Sequence, residues 1–113
     1  MSRPSLSEQQ KRELIKKYAL KFNFKTFIET GTQKGLMVDY VKDVFDKIYT
    51  IEILERLYND AVKRFENNKN INLFLGDSAI VLNQIMFDID KTRPILFWLD
   101  AHNYTCSPAL NGM

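Results

Sequence analysis

Four short apolar runs recur along this chain, and a helix-patterned segment separates each from the next. That alternation constrains the fold more than any other feature of the sequence. The runs are "TFIE" (26–29), "KIYTIE" (47–52), "INLFLG" (71–76) and "ILFWLD" (95–100). They are short and rich in β-branched and aromatic residues, which reads as strand. Segments 35–46, 54–67 and 78–89 lie between them and carry helical spacing. In the first, Met37, Val41, Val44 and Phe45 share a face. In the second, Leu54, Leu57, Tyr58, Ala61, Val62 and Phe65 follow the i, i+3, i+4, i+7 rule. In the third, Ser78 is the expected N-cap. A further helix is predicted over 5–22, where Ser5 and Glu8 have capping-box spacing. Leu14, Ile15, Tyr18 and Phe22 are its expected buried stripe. The helix aromatics Tyr40, Phe45, Tyr58 and Phe65 sit at core spacing.

Strands alternating with helices of this length predict βαβ units and a parallel sheet. Strands that are apolar at nearly every position fit a sheet covered on both faces. Right-handed crossovers then give half of a doubly wound fold. The expected architecture is α/β, a Rossmann-like three-layer sandwich with strand order 3-2-1-4, preceded by an N-terminal helix. The 113 residues are expected to form one domain, with 104–113 as a short tail.

Composition excludes several classes. Hydrophobic residues are 45% and charged residues 27%, the balance of a soluble globular protein. No apolar run approaches the ~20 residues that span a bilayer. The stretch "MSRPSLSEQQKREL" lacks the apolar centre of a signal peptide. The one cysteine, Cys106, has no internal disulfide partner and is read as inert. These features point to a cytoplasmic protein with no membrane role. A net charge of +2, with lysines spread along the chain, argues against nucleic acid as a partner.

In an open parallel sheet, ligands bind beyond the carboxyl ends of the strands. Here each strand delivers an acid to that rim: Glu29 before Gly31, then Glu52, then Asp77 with Ser78, then Asp100 with His102. Gly31 and Gly35 allow backbone to approach a ligand closely. A pyrophosphate site calls for G-x-G-x-x-G with no carboxylate in the turn. Gln33 replaces the middle glycine, and Glu29 would repel an anion. The ligand end near Glu29 is therefore expected to be cationic or an amine. Glu52 lies 21 residues after Gly31, where an acid grips ribose hydroxyls. Asp77 is placed to accept from an exocyclic amine such as that of adenine. Adenine, ribose and a cationic amino-acid tail together describe S-adenosylmethionine.

At these residues the chain resembles the class I S-adenosylmethionine-dependent methyltransferases. "FIETGTQKG" looks like their first motif, "IYTIEI" like the second-strand motif, "LFLGDS" like the third and "ILFWLDAH" like the fourth. "LDAHNY" also resembles the fourth-strand ending of the divalent-metal-dependent small-molecule O-methyltransferases. The resemblance covers about 24–103. It implies that Glu29 and Gly31 hold the methionine and sugar part of the cofactor, with Gly35 as a further cofactor-binding residue. It implies Glu52 for the ribose, and Asp77 and Ser78 for adenine. Asp100 would stand beside the sulfonium and the acceptor, with His102 as a base. The implied activity is O- or N-methylation of a small-molecule acceptor.

Sheets of that family usually have seven strands, and four are legible here. The chain is thus expected to stop after the fourth, without the further metal ligands of the metal-dependent branch, so no bound metal is expected. Hard cations call for about six oxygens. Order 3-2-1-4 makes "ILFWL" an apolar edge, which needs cover. A homo-oligomer through that edge, paired strand to strand or with Phe97 and Trp98 packed against a twin, is the expected solution; otherwise a C-terminal tail folds back over it, or the chain is a fragment of a longer gene. Tyr104 is expected to pack on the same edge. The alternatives are a non-catalytic module that binds S-adenosylmethionine or S-adenosylhomocysteine, and an NAD-binding fragment.

Overall fold

The computed structural model describes residues 7–99. Four helices and four strands alternate after the first helix: α1 (Glu8–Phe22), β1 (Thr26–Thr30), α2 (Leu36–Val41), β2 (Lys47–Glu52), α3 (Glu55–Arg64), β3 (Ile71–Leu75), α4 (Ser78–Asp88) and β4 (Ile95–Leu99). All strand pairs are parallel, in the order β3-β2-β1-β4. This is the expected Rossmann-like topology. No helix of the described residues is long and apolar enough to cross a membrane.

The alternation of side chains along each strand sorts the apolar residues into two layers. On one face Phe27 and Ile48 pack with Ile15 and Ala19 of α1, with Met37, Val38 and Val41 of α2, and with Ala61 of α3. Phe27 stacks on Phe45 with ring centroids 4.9 Å apart. On the other face Ile28 and Ile51 pack with Val81 and Ile85 of α4. Among the described residues, three helices therefore cover one face and α4 alone covers the other. Phe97 and Leu99, at the β4 edge, are exposed.

Helix boundaries differ from expectation where caps decide them. The cap of α1 is Ser7, not Ser5. Its hydroxyl accepts from the Gln10 N–H at 3.1 Å, and Gln10 Oε1 accepts from the Ser7 N–H at 2.9 Å. The Ser7/Gln10 pair has the same box spacing as Ser5/Glu8, and Ser5 lies outside the described residues. The cap of α4 is Asp77, whose carboxylate accepts from the Ala79 N–H at 2.8 Å, so Ser78 becomes the first helical residue. Burial on α1 shifts to Ile15 and Ala19, while Tyr18 and Phe22 are exposed and stack on each other. The small Ala19 lets α1 lie close to its neighbours, a position that a search for large apolar residues passes over. On α3, Ala61 is buried, Leu57 and Tyr58 are half-buried, and Leu54 and Val62 are exposed; Phe65, just past its end, is buried.

Candidate functional site

The turn after β1 carries most of the site. Gly31 (φ 88°), Gln33 (φ 52°) and Gly35 (φ 79°) all adopt left-handed backbone. For glycine that conformation is cheap; for Gln33 it costs about 1–2 kcal/mol. A Cβ on Gly35 would stand 3.0 Å from a ring carbon of the buried Phe65, so this position also needs the missing side chain.

The N–H groups of the turn point inward. Gly31 and Thr32 both donate to the Ile51 carbonyl, at 2.8 and 3.2 Å. Gly35 donates to the Thr32 carbonyl at 2.9 Å. Gln33 donates to Glu52 Oε1 at 2.6 Å. The turn is thus fastened to the end of β2 through the N–H groups of Gly31, Thr32 and Gln33. Arg64 straps it from outside, donating to the Lys34 carbonyl at 2.8 Å while its other amino group lies 3.3 Å from Asp39.

Glu52, the last residue of β2, is 1% exposed. Its second oxygen accepts from the Leu54 N–H at 3.0 Å. Each carboxylate oxygen still has a further acceptor position. The Glu52 carbonyl accepts from the Gly76 N–H at 2.9 Å, which brings the β3 end and Asp77 beside it. Asp77 itself is exposed, with one oxygen committed to the helix cap.

Glu29 corrects one expectation. The acids do not stand level on one rim. Glu29 pairs in register with Thr50, two residues below Glu52, and is buried. Its carboxylate accepts from the Thr50 hydroxyl at 2.7 Å, and that hydroxyl lies 2.6 Å from the Thr32 hydroxyl. The structure therefore brings together Glu29, Gly31, Gly35, Glu52, Asp77 and Ser78 around the carboxyl ends of β1, β2 and β3. Asp100 and His102, the expected catalytic residues, lie outside the described residues, as do Tyr104 and Cys106. Among the described residues no group of three or more His, Cys, Asp or Glu side chains is placed to hold a metal ion. A groove of about 420 Å³ runs between α4 and the Tyr49–Phe74 ring pair, and no candidate residue lines it.

Sequence reading missed Thr32, Thr50 and Arg64. Strand periodicity contained the signal for Thr50: it shares a face with Glu52, and parallel pairing sets it opposite Glu29. Thr32 and Arg64 are placed by tertiary contacts that no local pattern announces.

No protein-family model matches the chain, and no curated protein matches it. Solved structures do. The chain is similar to the O-methyltransferase from Bacillus cereus in complex with SAH (S-adenosylhomocysteine), with a TM-score of 0.70 and 16% identity over 86% of this chain and 46% of that one. It is similar to the O-methyltransferase TomG from Streptomyces achromogenes, in complex with SAM (S-adenosylmethionine), with a TM-score of 0.69 and 18% identity over 86% and 45%. It is also similar to the SAH-bound methyltransferase PaMTH1 from Podospora anserina, with a TM-score of 0.65 and 16% identity over 85% and 42%. At these identities the likeness establishes the fold. The chain spans under half the length of each of these structures.

Proposed function

We propose that the chain binds S-adenosylmethionine at the carboxyl ends of β1, β2 and β3, and serves methyl transfer to a small-molecule hydroxyl or amine. One observation carries this reading. The glycine turn directs the N–H groups of Gly31, Thr32, Gln33 and Gly35 inward onto carbonyls and Glu52, and is backed by the buried acid Glu29. Such a turn suits a cationic, hydroxylated ligand and disfavours a pyrophosphate, which takes free backbone N–H groups. That argues against NAD. The fold is shared with methyltransferases solved with SAM or SAH, which supports the same ligand here.

The chemistry of the donor set fits that ligand. Glu52 has acceptor positions left for two ribose hydroxyls, and Asp77 has one oxygen left for the adenine amine. Ser78 would support the adenine beside Asp77. Glu29, with the backbone at Gly31 and Gly35, would hold the methionine part. The bound cofactor supplies an electrophilic sulfonium methyl, and orientation of the acceptor supplies much of the rate. Asp100 would orient the acceptor and take its proton, with His102 as the alternative base.

The second reading is a module that binds the cofactor or its demethylated product without turnover. The short span of the chain against the matched structures favours it. The reading also includes a single domain, a cytoplasmic location, no nucleic-acid partner, and a homo-oligomer that covers Phe97 and Leu99 at the β4 edge; Trp98, expected to share that contact, packs against the Phe27 core instead. Light scattering at micromolar concentration checks the last point, and a monomer sinks it.

Titration calorimetry with S-adenosylmethionine, S-adenosylhomocysteine and NAD tests the proposal. The expected result is heat with the first two only, lost in Glu52→Ala. A folded sample giving no heat with either overturns it. Product formation with a panel of catechols and primary amines then separates the enzyme from the module.

A further inference from the structure

We propose that Thr32 and Thr50 form a one-way hydroxyl relay that positions Glu29, and that this relay sets how tightly the site holds the ammonium-bearing part of its ligand. The inference rests on the function proposed above.

The geometry begins with the sheet. Parallel register places Thr50 directly opposite Glu29, so the 2.7 Å contact between them is built into the pairing of β1 with β2. Thr32 closes on Thr50 from the glycine turn at 2.6 Å. The three residues are buried, with exposures of 3%, 0% and 4% for Glu29, Thr50 and Thr32. Proton counting then fixes the direction. A threonine hydroxyl has one hydrogen to donate. Thr50 gives its hydrogen to the Glu29 carboxylate, so the short contact with Thr32 requires the Thr32 hydroxyl to donate to Thr50. The chain of donation runs from the turn, through β2, to the acid on β1. Thr32 is doubly tied to β2, since its N–H also donates to the Ile51 carbonyl.

Packing alone does not account for these hydroxyls. Thr50 lies on the face where Phe27 and Ile48 build the larger core, and valine has the same shape without a polar group to desolvate. What threonine adds is a donor aimed at a carboxylate. Serial hydrogen bonds in a dry site reinforce one another. The relay therefore couples the turn to the acid, and a ligand cation that meets Glu29 meets it at a fixed place relative to Gly31.

The experiment compares calorimetric affinity for S-adenosylhomocysteine in wild type, Thr50→Val, Thr50→Ser, Thr32→Val and the double valine variant, with folding checked by circular dichroism. The relay predicts at least a tenfold weaker Kd for Thr50→Val, and recovery to within threefold in Thr50→Ser. It predicts a smaller loss for Thr32→Val, and a double variant no weaker than Thr50→Val, because the links act in series. A purely structural role moves the melting temperature and leaves the Kd of the folded protein unchanged. An unchanged Kd in Thr50→Val overturns the relay. If that variant fails to fold, an unchanged Kd in Thr32→Val does the same. Wild type that binds while the valine variants bind equally well sinks only the relay. Wild type that gives no heat sinks the function proposed above and the relay with it.

Discussion

Replacing Glu52 by glutamine is the most informative single change, because the carboxylate joins the glycine turn to the start of the segment after β2. Its two oxygens accept from the Gln33 and Leu54 N–H groups at 2.6 and 3.0 Å, in a residue 1% exposed. Hydrogen bonds to a charged group contribute about 1.5–3 kcal/mol each. Glutamine keeps the shape but has one acceptor oxygen. Its amide NH₂ must then face one of the two N–H groups, donor against donor. One bond is lost and one buried donor is stranded, at about 1–3 kcal/mol for the stranded group. The sum is about 2.5–6 kcal/mol, a large part of the 5–15 kcal/mol that holds a domain together. At roughly 4–8 °C per kcal/mol for a domain near this size, the melting temperature falls by about 10 °C or more. Thermal denaturation followed by circular dichroism at neutral pH reads this directly. A Glu52→Gln variant melting within about 2 °C of wild type would refute the carboxylate clamp.

Asp77 separates a structural role from a ligand role. Asparagine caps a helix about as well as aspartate, so Asp77→Asn keeps the melting temperature, whereas Asp77→Ala loses about 0.5–2 kcal/mol. If Asp77 also accepts from adenine, both variants weaken S-adenosylhomocysteine binding; unchanged binding in Asp77→Asn removes it from the site. Gln33→Gly relieves left-handed strain at φ 52° and is expected to raise stability by up to about 1 kcal/mol, and a lower melting temperature contradicts that reading. The Lys42 hydrogen bond, with Arg64 nearby, holds the Asp39 carboxyl below its ordinary value of 3.8. A depressed carboxylate adds stability that is complete above its unfolded pKa and is lost as pH falls through the folded one. The pair is partly exposed and screened, so Asp39→Asn should cost no more than about 1 kcal/mol at pH 7, and nothing once pH falls well below 3.8. A difference that persists at pH 2 removes the ion pair as its cause.

The architecture was legible because period-2 and period-3.6 patterns are local properties. β2 matched its predicted span of 47–52 to the residue, β1 and β3 agreed to within one, and β4 begins at the predicted Ile95. The helices were read too long at α2 and α3, where the last expected residues turn away before the next strand; Phe65 and Phe45 are buried just beyond the helices that pattern alone assigned them to. Caps were misplaced by one or two residues because neighbouring short polar residues, Ser5 and Ser7 before α1 and Asp77 and Ser78 before α4, share the same capping chemistry, and the sequence does not say which takes the cap backbone. Glu29 shows the deeper limit. Its place in the sequence says that it ends a strand, but its depth depends on register, which Thr50 and β2 determine. The Thr32 contact needs the turn folded back onto β2, a tertiary event with no signature in ten consecutive residues.

The direction of the N–H groups in the turn decides more than the count of its glycines. A glycine turn beside a parallel strand is commonly read as an anion cradle, since left-handed residues expose successive donors. Here the same dihedrals at Gly31, Gln33 and Gly35 deliver those donors to Ile51, Glu52 and Thr32. The difference lies in what β2 presents. Its final residues offer a carbonyl and a carboxylate within reach, and these draw the donors inward. Two buried acids, Glu29 and Glu52, stand behind the turn, and on the function proposed above their charge favours a cation. On that function, the acid ending β2 acts twice: it takes the Gln33 N–H and so helps organise the turn, and its charge favours a cationic ligand. Glu52→Ala should therefore weaken a cationic nucleoside and relax discrimination against inorganic phosphate. A variant that keeps full rejection of phosphate while its turn is released would show that Glu29 alone sets that sign.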